Sequence, residues 1–341
     1  MLKTLARAFI AGSLILIPTM ALAWGEPGHE VVGSIAEQIL AKDHPNAAQH
    51  VQQILASVDL AVAATWPDCV RDVVKTSSGF AYRPGRYTPK VCAAFQNDAD
   101  EARMIDYASR NWDDCYYSAT EGCHAAYHFA DVAIQRSRYD RSYVGTSDHD
   151  IVSAINAAIL VLQGQAAPAP FSIKDQKEAL FLLAHFVGDL HQPLHVGAIY
   201  LDANGSVEDP DSSPDQAANW NTEGANLIMD GSENLHHEWD TIASSLGTSA
   251  SPDLVAEAEA VPPTPGPISS WAADWASDTV QQAQTAFQGL TFTGVGARKW
   301  TVQFADRDGY QRARADEQEH QLVKAGARLA QLLAAIWPDA T

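Results

Sequence analysis

Apolar residues recur at helical spacing along most of the chain. Val31, Val32, Ile35, Ala36, Ile39 and Leu40 form the first stripe, just after Trp24-Gly-Glu-Pro-Gly-His29. Asn46 to Ser57 reads as a second helix, and Val58 to Val74 as a third, interrupted at Trp66-Pro67-Asp68. A helix from Asp98 to Trp112 would take Asp98 as its N-cap. Ser147, three before Asp150, suits the start of a helix from Ile151 to Gln163, which Pro168 and Pro170 follow as breakers. Ser172 opens the next helix. Leu235 to Leu246, Pro252 to Ala260, Ile268 to Phe287 and Tyr310 to Ile336 complete the helical set. Residues 76–92 and 199–219 read as loops, 116–134 favours no period, and 290–304 has room for a short hairpin. Strand-like alternation is otherwise scarce. The pattern predicts an all-α fold: one mainly helical domain over residues 24–341, with long loops.

One segment stands out chemically. Lys177-Glu-Ala-Leu-Phe-Leu-Leu-Ala184 is apolar nearly all the way round, as a buried helix is. It runs into His185-Phe-Val-Gly-Asp189-Leu-His191-Gln-Pro-Leu-His195. His185 and Asp189, four apart, share one helical face. A buried carboxylate needs a cation or several donors. Pro193 stops the helix, leaving His195 on the following turn. A metal site and a satisfied polar pair in a helical core both fit this stretch taken alone.

Composition narrows the setting. Lys3 and Arg7 precede an apolar run from Phe9 to Met20 and then Ala21-Leu-Ala23, the layout of a secretory signal at 1–23 cleaved after Ala23. The product would be secreted or periplasmic and begin at Trp24. The run is short for a membrane span, and nothing later resembles one. Cys69, Cys92, Cys115 and Cys123 are an even set, which in an exported protein favours disulfides; there is no C-x-x-C for a thiolate zinc site. Connectivity is open in the sequence. Pairing Cys115 with Cys123 closes a short loop and leaves Cys69 for Cys92. The net charge of −20 argues against non-specific binding to nucleic acid or an anionic membrane. It does not exclude a polyanionic substrate where bound metal reverses the local sign.

Other histidines and carboxylates repeat the theme. His236 and Asp240 form a second i, i+4 pair within Asn234-Leu-His-His-Glu-Trp-Asp240. His128 precedes Phe129 and Asp131, Asp68 sits at a helix break with Arg71 three residues on, and His29 stands near the expected mature terminus. Each alone is commonplace. Histidine and carboxylate without thiolate suit zinc at a hydrolytic site.

These motifs together resemble the P-one/S-one zinc nucleases, distant relatives of zinc-dependent phospholipase C. The resemblance rests on Trp24-Gly-x-x-Gly-His29, W-x-D-x-x-R from Trp66 to Arg71, the His128-Phe block, H-F-x-G-D-x-x-Q-P-L-H from His185 to His195, and G-x-N…N-L-H-x-x-W-D from Gly224 to Asp240, in family order. It implies the phospholipase C/P-one nuclease fold and three zinc ions. One would be held by Asp68, His128, His185 and Asp189, the second by His195, His236 and Asp240, and the third by His29, Asp189 and the amino nitrogen and carbonyl oxygen of Trp24. It also implies hydrolysis of single-stranded DNA and RNA to 5′-phosphate products, with some action on 3′-nucleotides. Asp68 and Asp189 would serve the reacting water, Arg71 the phosphoryl oxygens, and Phe129 a stacked base; Asp131 would adjoin the substrate. A monomer without stable membrane association is expected. The rival phospholipase C is disfavoured by the short Trp24–His29 spacing and by Asp240, where that branch has Glu. Arg71 and a shared Asp189 disfavour a non-catalytic exported zinc-binding protein.

Overall fold

The computed structural model describes residues 24–85, 91–118 and 120–339. The leader expected at 1–23, with its cleavage point, lies outside the described residues. The first stripe forms α1 (Glu26–Asp43), with Pro27 in the first turn, where a missing N–H costs nothing. α2 (Pro45–Leu55) follows. The helix expected over Val58–Val74 is two short ones, α3 (Leu60–Ala63) and α4 (Trp66–Val70), because Pro67 starts a helix more readily than it continues one. The region expected as loop holds a hairpin, β1 (Val73–Thr76) paired antiparallel with β2 (Gly79–Tyr82). The β-branched run from Val73 favours extended backbone, and Gly79 supplies φ +132 at the turn.

Two helices start where the sequence predicts but take a different cap, and a third starts later; each difference has a local cause. α5 (Asp98–Arg110) is capped by Asn97, whose side chain accepts from the Asp100 N–H; Asp98 instead adds negative charge to the first turn. α6 (Ile151–Leu162) is capped by Asp150, to which Ser147 donates its own backbone N–H. α7 (Gln176–Leu190) is capped by Asp175 rather than opening at Ser172, whose carbonyl is taken by Arg110 and Asn111. Between α5 and α6 the aromatic stretch forms a 3₁₀ turn at Cys123–His128 and a two-residue strand, β3 (Val132–Ala133).

α7 is buried continuously from Glu178 to Leu190, and α1, α6 and the last two helices pack around it. Beyond it come β4 (Gly197–Ala198), the short α8 (Ala217–Trp220), β5 (Ile228–Asp230), β6 (Glu233–Asn234) and α9 (Leu235–Asp240). α9 stops well before the expected Leu246: Gln318 donates to the carbonyls of Trp239 and Thr241 at 2.7 and 3.0 Å, so they do not continue the ladder. α10 (Pro252–Glu259), α11 (Ile268–Ala286), β7 (Leu290–Gly296), β8 (Lys299–Phe304) and α12 (Arg307–Ile336) close the chain. The hairpin expected over 290–304 is present and is part of a four-stranded sheet ordered β6-β5-β8-β7. A second, smaller core lies beside this sheet and includes Leu194, Leu235, Trp239 and Trp300. The fold is mainly helical, as the pattern predicts. No helix among the described residues is long and apolar enough to cross a membrane.

Close approach of α1 to α3 depends on Gly33, where an added Cβ would stand 2.5 Å from the Leu60 carbonyl oxygen and 2.6 Å from the Ala61 Cα. Backbone cannot swing aside as a side chain can. Gly33→Ala is expected to lower unfolding stability by about 1–3 kcal/mol, measured by denaturant titration.

Candidate metal centre

Five separate pieces of chain converge on one buried site. α7 presents His185 and Asp189 one turn apart, both fully buried. Pro193 ends that helix and turns the chain, so His195 comes back from a 3₁₀ turn. α4 carries Asp68, and the adjacent Cys69 is bonded to Cys92. His128 ends the 3₁₀ turn that begins at Cys123, which is bonded to Cys115; both pairings are those the sequence favours. α9 supplies His236 and Asp240 and is capped by Asn234. α1 brings His29 in its first turn.

The chain start is fastened to α7. The Trp24 indole Nε1 donates to the Gly188 carbonyl at 2.8 Å, and Gly25 N donates to the Asp240 carbonyl at 2.9 Å. Two glycines make this fit. A Cβ on Gly28 would lie 2.9 Å from the Trp24 Cβ, and one on Gly188 would lie 3.0 Å from His29 Nδ1.

The donors form three groups, each with its ligating atoms within 4.8 Å of one another: His29, His185 and Asp189; Asp68, His128 and His185; His195, His236 and Asp240. Asp189 faces two ways. Its Oδ1 is 3.2 Å from His29 Nε2, while its Oδ2 is 3.0 Å from both His185 Nε2 and His128 Nδ1. His195 Nε2 and His236 Nε2 stand 3.0 Å apart, and Asp240 is 3.5 Å from the latter.

These residues fit a metal on three observations. First, Asp68 Oδ1 and Oδ2, Asp189 Oδ1, Asp240 Oδ2 and both His29 nitrogens are buried without a hydrogen-bond partner. Such groups are costly unless a cation meets them. Second, Nδ1 of His185, His195 and His236 is spent on the carbonyls of Ala64, His128 and Gly224, at 2.7, 2.9 and 2.5 Å. That fixes each proton on Nδ1 and turns the Nε2 lone pair inward, the usual outer support of a metal-binding imidazole. Lone pairs of His195 and His236 that face each other repel without a cation between them. Third, burial pushes His128 down to about 4 and His236 down to about 3, so both imidazoles are in the neutral, ligating form at neutral pH.

Above the donors opens a cavity of about 720 Å³, with His128, His195 and His236 among its lining residues. Arg71 also lines it, buried, with Nε donating to Glu121 at 3.1 Å. Half-buried Phe129 lies along the wall, its ring centroid 6.0 Å from that of Tyr117. Asp131 is buried beside it and accepts from Asn221 Nδ2 at 2.9 Å; burial pushes its carboxyl up to about 6. Thus every residue singled out from the sequence lies at the donor groups, against them or along this cavity. His191 lies apart: its Nδ1 faces the Val187 carbonyl at 2.7 Å and its Nε2 takes Arg328 at 2.8 Å.

Several contributors have tasks that the sequence does not announce. Glu121 holds Arg71, and Gln192 donates to Asp240 Oδ1 at 2.7 Å. Gln192 belongs to the His185–His195 motif, so its position, though not its task, was visible. Glu223, Gly224 and Ala225 are left-handed in succession, with φ of +55, +57 and +70. Two non-glycine residues there are strained, and the turn they make aims the Gly224 carbonyl at His236.

The model of the S1/P1 Nuclease family matches residues 24–110 and 86–338, and the chain belongs to that family. It is similar to Endonuclease 4 of Arabidopsis thaliana, 24% identical over 246 residues, which are 71% of this chain and 64% of that protein. It is likewise similar to Endonuclease 2 of that plant, 26% identical over 64% of this chain and 55% of the relative. Nuclease S1 of Aspergillus oryzae is 24% identical over 68% of this chain and 58% of its own length. The matched stretch thus spans between half and two thirds of each of these relatives.

Gly224 is the sharpest test of the outer support. A Cβ there would sit 2.4 Å from the Leu194 carbonyl oxygen and 3.1 Å from His236 Nδ1, at a φ that disfavours it. Gly224→Ala is expected to weaken metal binding about 10- to 100-fold, measured by competition with a chromogenic chelator.

Proposed function

We propose that the chain is an exported three-zinc phosphodiesterase that cleaves single-stranded DNA and RNA to 5′-phosphate products and also acts on 3′-nucleotides. The observation that carries this reading is the set of three buried His/Asp groups with unpartnered donor atoms, beneath a cavity lined by an arginine and an aromatic ring. Residues 24–341 form its one domain, following a leader at 1–23. It works as a monomer in the secreted or periplasmic space, without stable membrane association.

Asp68, His128, His185 and Asp189 would hold one zinc, and His195, His236 and Asp240 a second. His29, Asp189 and the amino and carbonyl groups of Trp24 would hold the third. Bound zinc supplies Lewis-acid charge and acidifies water to near neutral pH, which a phosphodiester needs because its anionic oxygens repel nucleophiles. Within that setting Asp68 and Asp189 are the catalytic carboxylates: Asp68 orients the attacking water, and Asp189 keeps two donor groups in fixed relation. Arg71, its Nε held by Glu121, offers charge to the phosphoryl oxygens. The Phe129 face stacks a base, an interaction worth about 1–3 kcal/mol that tolerates any sequence. Asp131, held by Asn221, contacts the base edge. Single strands are preferred because a duplex hides its base faces.

The decisive assay incubates protein beginning at Trp24 with single-stranded DNA, RNA and lecithin, with and without chelator. Cleavage of both nucleic acids, abolished by chelator and restored by zinc, is expected. Chelator-resistant cleavage, or hydrolysis of lecithin alone, would sink the proposal.

Metal counting tests the ligand sets separately. Asp189→Asn is expected to lose two ions per chain, and a form keeping Ala23 before Trp24 to lose one, by elemental analysis. A full complement in the extended form would rule out the terminal amine as a ligand.

A further inference from the structure

A strand longer than a mononucleotide must be held somewhere beyond the reacting phosphate. On a chain of net charge −20, that place needs cations. Two arginines line the cavity, Arg71 and Arg298. Arg71 is buried beside Glu121. Arg298 stands at the rim, its side chain 42% exposed.

Arg298 occupies an unusual position. It belongs to the two-residue connection of the β7–β8 hairpin, between the paired Gly296 and Lys299. Its φ is +51, a conformation that glycine takes freely and arginine does not. Packing does not explain the side chain, because residue 298 is exposed. What the position provides is a guanidinium leaning back over the cavity: Nη2 reaches the Asn221 carbonyl at 3.3 Å and Glu223 Oε1 at 2.6 Å. Asn221 is also the residue that holds Asp131. The partner Glu223 is itself half exposed, so this is a weak surface pair that a phosphate can replace. Arginine binds phosphate through paired, charge-assisted hydrogen bonds, and Glu223 is released to solvent at small cost.

We propose that Arg298 is a specificity-determining residue that grips a backbone phosphate away from the scissile bond. It thereby favours polynucleotides over mononucleotides, with Glu223 as the group the phosphate displaces. The inference rests on the nuclease reading above. The competing explanation is an ion pair that only staples the hairpin to the 221–225 turn.

The test compares zinc-loaded wild type, Arg298→Gln, Arg298→Lys and Glu223→Gln on oligothymidylate and on thymidine 3′-monophosphate, across a salt series. Arg298→Gln is expected to raise KM for the oligomer about five- to tenfold and leave kcat within about twofold. Its KM for the monophosphate should not change. The slope of log kcat/KM against log salt for the oligomer should become shallower by about 0.7, the signature of one lost phosphate contact on a single strand. Arg298→Lys should keep that slope, and Glu223→Gln should lower the oligomer KM. Equal losses on both substrates, an unchanged salt slope, or a fall in kcat that lysine does not rescue would overturn the proposal in favour of the staple. If wild type cleaves neither substrate, the nuclease reading fails and this inference falls with it.

Discussion

The site depends on one buried carboxylate. Asp189 is fully enclosed, and its two oxygens face different imidazoles. Isolated, such an anion would cost several kcal/mol or take up a proton. The imidazoles around it present lone pairs rather than charge, so keeping it ionised calls for cations among them, and α1, α4 and the 3₁₀ turn ending at His128 bring their donors against the same turn of α7. Glycine at 188 and 28 is the steric counterpart, since bulk at either position would push Trp24 or His29 off that turn.

Much of this was legible in the chain. The i, i+4 pairs His185/Asp189 and His236/Asp240 are local, so helical period alone puts each pair on one face. The all-round apolar run before His185 announced a buried helix, and Pro193 announced its end. Less legible were the short elements. β5 and β6 have three and two residues and no alternation to detect, so the sheet beyond the β7–β8 hairpin went unseen. The caps at Asn97, Asp150 and Asp175 lie one to three residues from those expected because neighbouring polar side chains compete for the same N–H groups. Arg298 lies far from any motif, and the motif that opens at Gly224 does not announce the left-handed turn at 223–225. What gives them meaning is a tertiary approach between residues 75 positions apart.

Two of the donor-bearing elements are too short to be stable alone. α4 has five residues and the turn ending in His128 has six, where an isolated helix needs about 12–15 to be even marginal in water. Each is tied by a disulfide next to or within it, at Cys69 and Cys123. The parallel pairing of β3 with β4 then joins the segment after His128 to the segment after His195. Cross-links and a two-residue ladder thus do for these pieces what length and packing do for α7.

The bond from Gly25 N to the Asp240 carbonyl joins the described start of the chain to a residue more than two hundred positions later. Biogenesis inherits that span. A nascent chain that has emerged only as far as α7 has neither His236 nor Asp240, so Gly25 lacks its acceptor and the group that those two residues form with His195 is incomplete. None of the three donor groups is complete within a single helix, so an unfolded chain offers no preformed nest for an ion. The donor groups therefore come together only as separate elements pack, and the one made by His195, His236 and Asp240 is the last to have all its residues.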